Sequence, residues 1–183
     1  SAEARRRGGA GGVGGWRGHR AGRVLGPAEP GHIPRFARRE ELGLPVGVHT
    51  GQSGVGAGTP GGLGLRLGLS NRALLDDVAA RQPALQIVMA HPSVPWQEEA
   101  ISIATHKLNT WIDLSGWSPK YFSEPLRRAA RSYLSHKMLY GSDFPALTPE
   151  RWFADFAALD FPEQAVARIL KENATRLLGL QGR

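Results

Sequence analysis

The sequence of 183 residues has no cysteine, which excludes a disulfide framework, a thiolate nucleophile and any cysteine-ligated zinc or iron–sulfur site. It has no apolar run near the roughly 20 residues that a membrane-spanning helix requires. No apolar segment of signal-peptide length follows Arg5-Arg6-Arg7 either, so a secretion signal is absent and the expected location is the cytoplasm. An excess of positive charge is missing as well, once the chain is divided. The net charge is +7, but residues 1–40 hold 9 Arg against 3 Glu, and without that +6 only +1 is left. A basic nucleic-acid-binding domain is therefore not expected.

Glycine is as uneven as charge, with 20 of the 24 in residues 1–68. Residues 1–35 are expected to be a low-complexity Gly/Arg-rich tail, since a stretch with so little periodic apolar surface cannot offset the entropy of ordering it. A disordered tail suits it better than an RNA-binding arm, or than a transit peptide with Ser1 as its one serine. Residues 36–183 form the folded unit. Phe36 to Leu42 predicts a short charged helix closed by Gly43. Pro45 to Thr50 predicts a buried strand, and a glycine-rich loop from Gly51 to Leu69 follows. Ser70 is placed to cap a helix reaching Gln82, with Asp77 and Arg81 paired on its wet side.

Leu85 to Ala90 is an almost continuous apolar run, as in a strand buried on both faces of a parallel sheet. A helix over 95–108, a strand at Trp111-Ile112-Asp113-Leu114, a helix over 123–134 and a strand over 137–141 continue the alternation. Thr148-Pro149-Glu150 opens a further helix, and a last one runs from Pro162 to Gly179. Four strands alternating with helices predict an α/β fold with parallel pairing, either an open doubly wound sheet or part of a (β/α)8 barrel.

His49, His91 and Asp143 each sit at the carboxyl end of an apolar strand, the rim on which ligands bind in both architectures. Imidazole and carboxylate are ligands suited to Zn²⁺ or Mn²⁺, and both also serve in acid–base work. Trp117 and Lys120 follow the third strand on the same rim, where an indole wall and an ammonium would suit a planar carboxylate substrate. The loop from Gly51 lacks Gly-Lys-Ser/Thr, so it is no phosphate-binding P-loop, and Gly51-Gln52-Ser53-Gly54-Val55 lacks the glycine two residues after serine that a nucleophile elbow needs. His106 and His136 fall away from the strand ends and receive no role.

Val48-His49-Thr50-Gly51, then Val88-Met89-Ala90-His91-Pro92-Ser93, then Leu139-Tyr140-Gly141-Ser142-Asp143-Phe144-Pro145, and last Asn173-Ala174-Thr175-Arg176-Leu177-Leu178-Gly179-Leu180 occur in this order. Together they resemble the amidohydrolase-related family, in the branch of metal-dependent TIM barrels that includes aminocarboxymuconate semialdehyde decarboxylase. The resemblance implies that these are strands five to eight, the C-terminal half of a (β/α)8 barrel. It implies a divalent metal, zinc or alternatively manganese, held by His49 and Asp143. It makes His91 the acid–base catalyst, or a second ligand as in dinuclear relatives, with Asp143 also able to accept a proton.

The implied activity is hydrolysis of a small carbonyl or carboxylate compound, with decarboxylation as the alternative. The family's His-x-His of strand one is absent from this sequence. A non-catalytic remnant is accordingly the competing reading, and a half-barrel would expose two sheet edges suited to pairing with a second copy.

Overall fold

Each of the four apolar stretches becomes a strand, and all four pair in parallel. In a computed structural model that describes residues 31–71 and 73–181, β1 (Val46–His49), β2 (Ile87–Ala90), β3 (Thr110–Asp113) and β4 (Met138–Leu139) form one sheet in the order β1-β2-β3-β4. Neighbours in space are neighbours in sequence throughout, so every crossover steps the same way. That is how the wall of a barrel is built, whereas a doubly wound sheet reverses its strand order at a switch point. The register aligns His49 with Ala90 and Asp113 with Leu139, which brings the carboxyl ends of the strands level at one rim.

Helices alternate with the strands: α1 (Ile33–Glu41), α2 (Ala73–Arg81), α3 (Gln97–His106), α4 (Glu124–Arg131) and α5 (Pro149–Ala157). They close over the sheet through Leu75, Val78, Ala104, Leu126 and Ala129, which meet Ile87, Met89, Ile112 and Met138 in one core. Full burial of each Leu, Val, Ile or Met among them stabilises by about 1.5–3 kcal/mol. Trp152 of α5 is fully buried, stacks on Phe156 with ring centroids 4.7 Å apart and donates from Nε1 to Leu114 O at 3.1 Å. The chain then runs through α6 (Glu163–Ala167), a π turn (Arg168–Glu172) and α7 (Asn173–Leu177).

Several boundaries differ from those the sequence suggested. Helix α1 starts at Ile33 with Pro34 in its first turn, ahead of the expected Phe36, and it begins inside the segment assigned to the tail. His32, placed with the tail by composition, is buried. The rest of that tail, residues 1–30, lies outside the described residues. At α2 the side chain that accepts from the helix start is Asn71, which bonds the Ala73 N–H at 2.9 Å, while Ser70 belongs to a 3₁₀ turn. Thr148 caps α5 as its sequence predicts, and the structure also places Ser123 as the cap of α4.

Strand β4 is only two residues long, because the Tyr140 N–H leaves the ladder and donates to Ile169 O in the π turn. Asn173, fully buried, reinforces this join by donating to Ser135 O and Met138 O at 2.8 and 2.7 Å. Asp77 and Arg81 pair at 3.0 Å on the exposed side of α2, as their spacing predicts. Among the described residues no helix is long and apolar enough to cross a membrane.

Candidate active site

The rim gathers the candidates. His49 is the last residue of β1, His91 the first after β2, and Asp143 follows β4 on the same side. The His49 and His91 rings meet edge to face with centroids 4.9 Å apart. Asp143 is exposed and close enough for its charge to act on His49. Burial is the main influence lowering the His49 pKa from 6.5, and the His91 ring lowers it further, while Asp143 and a hydrogen bond to the Gly51 backbone oppose both. His49 Nε2 is buried and has no hydrogen-bond partner among the described residues.

The backbone beneath these side chains is strained. His91 has φ 74°, Ser93 61° and Asp143 67°, values in the left-handed region that non-glycine residues enter at a cost of about 1–3 kcal/mol each. A lattice of short-range ties holds the β1 and β2 ends in place. Thr50 donates from N and Oγ1 to Ala90 O at 3.1 and 2.6 Å, and Ser93 Oγ donates to Thr50 Oγ1 at 2.5 Å. Gly51 packs so tightly here that a Cβ would lie 2.5 Å from Ser93 Cα. These ties set the separation of His49 and His91.

A group the sequence analysis passed over completes the rim. Asp113, the last residue of β3, accepts from Ser115 Oγ at 2.5 Å and from the Ser115 N–H at 3.2 Å. The same Ser115 Oγ lies 3.0 Å from His91 Nδ1. Burial pushes the Asp113 carboxyl up from its ordinary value; the Ser115 hydroxyl, the His91 ring and the N–H groups of Ser115 and His91 pull the other way. The signal was available, because Asp113 ends its strand just as His49 ends β1. Within Trp111-Ile112-Asp113-Leu114 an apolar residue follows it, so the local pattern alone reads as continuing strand.

Trp117 is half-buried against the core and leads out of Gly116, whose backbone abuts the His91 ring. Lys120 is exposed, with Nζ 4.9 Å from the centroid of the Tyr121 ring. His136 lies in a 3₁₀ turn before β4 and His106 ends α3, both away from the rim, in keeping with the absence of an assigned role.

The donor set fits part of a divalent-metal site. A ring whose Nε2 is buried and unpartnered, held by a bond to the Gly51 backbone, is how a metal-binding imidazole is presented. Asp143 adds an anionic oxygen donor on the same rim. Among the described residues, no group of three His, Asp or Glu side chains is arranged to hold an ion by itself.

The amidohydrolase family model matches residues 1–180 of the chain. Among solved structures, an uncharacterized TIM-barrel protein from Bordetella bronchiseptica is similar at TM-score 0.71 and 26% identity, covering 87% of this chain and 54% of that one. A dihydroxybenzoic acid decarboxylase from Polaromonas, with bound manganese and the inhibitor 2-nitroresorcinol, has TM-score 0.65 and 15% identity, covering 89% and 58%. A structure from Pseudomonas putida assigned as a 2-pyrone-4,6-dicarboxylic acid hydrolase has TM-score 0.56 and 19% identity, covering 88% and 61%. No match was found among the curated proteins. The chain thus spans little more than half the length of the structures it resembles.

Proposed function

Because this chain belongs to the amidohydrolase family, we propose that it contributes the acid–base half of a metal-dependent hydrolase site for a small carbonyl or carboxylate compound. The observation that carries the reading is the buried, unpartnered Nε2 of His49 beside the His91 ring, with Asp143 on the same rim. His49 and Asp143 would hold a divalent ion, zinc or manganese. When bound, such an ion polarises a carbonyl oxygen and lowers the pKa of water.

The remaining work belongs to the chain's own groups. His91 takes the proton from the attacking water on Nε2 and then passes it to the leaving group, and Asp143, exposed at the rim, can also accept a proton. Trp117 would wall the substrate's planar face, and Lys120, with its ammonium over the Tyr121 ring, would attract its carboxylate. The four strands are read as strands five to eight of a (β/α)8 barrel. Their unreversed order and the covered share of the barrel structures support that placement. An open edge at β1 or β4 would then suit a further copy of the chain.

Metal analysis with a panel of esters, lactones and aromatic acids tests the reading. Hydrolysis dependent on added zinc or manganese and abolished by His91→Ala is expected. Release of carbon dioxide from the aromatic acids, with the esters and lactones untouched, would select decarboxylation. Neither metal uptake nor turnover would make the chain a non-catalytic member.

A further inference from the structure

We propose that Asp113 and Ser115 are positioning residues that place the proton of neutral His91 on Nδ1, leaving the lone pair of Nε2 to act on substrate. The role given to Nε2 rests on the acid–base assignment made above; the tautomer does not.

The inference comes from counting hydrogens. The Ser115 hydroxyl and the N–H groups of Ser115 and His91 are all directed at the Asp113 carboxyl. A carboxylate can only accept, so the single Ser115 hydroxyl hydrogen is committed to Asp113 Oδ2. Ser115 Oγ then has nothing but lone pairs to offer His91 Nδ1 at 3.0 Å, and the ring must supply the hydrogen. A neutral imidazole that donates from Nδ1 carries its lone pair on Nε2.

Two glycines show that this chain of groups is built in. A Cβ on Gly116 would lie 2.5 Å from His91 Nδ1, and one on Gly141 would lie 2.6 Å from Asp113 Oδ1 and 2.8 Å from Ser115 Cβ. Space is kept clear at both ends of the relay, by the segment after β3 and by the segment after β4. Gly116 also has φ +76°, a conformation suited to glycine.

Asp113→Asn gives the sharpest test. The amide must turn its oxygen to the Ser115 N–H, so its NH₂ faces Ser115 Oγ. The serine hydroxyl is thereby released to donate to His91 Nδ1, and the ring proton moves to Nε2. Ser115→Ala removes the hydroxyl oxygen that faces Nδ1 and lets the ring shift toward the Nε2–H form that a solvated histidine side chain favours.

The readout is the side-chain ¹⁵N spectrum of the full chain labelled on histidine, above the histidine titration range and without added metal. His91 is assigned by the resonances lost in His91→Asn. Wild type is expected to show protonated Nδ1 and unprotonated Nε2, with the two exchanged in Asp113→Asn and shifted the same way in Ser115→Ala. A wild-type ring protonated on Nε2 overturns the proposal, as does a tautomer unchanged in whichever of the two variants folds. The expected tautomers in a chain without turnover would uphold this pair while rejecting the catalytic reading.

Discussion

The His49 and His91 rings stand edge to face with centroids 4.9 Å apart, although 42 positions separate the two residues. Neither ring chooses that distance. Thr50, the residue after His49, donates to the Ala90 carbonyl and accepts from Ser93 Oγ, and Gly51 presses against Ser93 without room for a side chain. The ends of β1 and β2 are thus fastened together before either imidazole meets a ligand.

One consequence is electrostatic. His49 is expected to titrate below 6.5, because burial and the neighbouring His91 ring both disfavour its cation. The unfolded chain therefore takes up the proton first as pH falls past 6.5. His49's contribution to stability declines over that window and levels off once the folded form is protonated too. The ring resonances of His49 followed against pH check the midpoint; one at or above 6.5 contradicts the account.

Metal affinity should depend on both rim donors. His49→Ala and Asp143→Asn are each expected to weaken zinc or manganese binding by more than the roughly 10–100-fold that loss of an outer hydrogen-bond partner costs. Calorimetric titration of each variant measures this. Equal affinity in wild type and His49→Ala would remove His49 from the site.

A pair of glycine substitutions separates strain from function. Gly116→Ala places a methyl 2.5 Å from His91 Nδ1 at φ +76°, whereas Gly179→Ala at φ +64° meets nothing within 4 Å. Each is expected to lose about 1–3 kcal/mol for the left-handed backbone. Only Gly116→Ala should also displace His91 and abolish turnover. Urea unfolding together with activity of both variants distinguishes the two effects.

Lys137 supplies a structural prediction away from the rim. It is buried, and burial lowers its pKa to about 8. Its ammonium donates to Ala104 O at 2.6 Å and to Lys107 O, satisfying carbonyls at the end of α3. Lys137→Met should remove the side-chain donor to Ala104 O and leave Lys107 O with Thr110 Oγ1 at 3.2 Å, destabilising by about 1–3 kcal/mol. A lower urea midpoint at unchanged slope is the expected result.

The α/β class, the four strands and the rim positions of His49, His91 and Asp143 were legible because local chemistry writes them. Buried parallel strands leave continuous apolar runs, and the polar residue that ends such a run marks the rim. Thr148 was legible as a cap for the same reason, since a cap acts on a residue three positions away.

What the tertiary structure alone decided depends on contacts between distant segments. Asp113 looked like one more strand residue until the fold brought Ser115 against His91, 24 positions away. The shortness of β4 arises because Ile169, 29 residues beyond Tyr140, takes the Tyr140 N–H out of the sheet. His32, assigned by composition to the Gly/Arg-rich tail, is buried. Composition and periodicity report the preferences of neighbouring residues. Which hydroxyl faces which imidazole is set by strand register and by the glycines that let the segments approach.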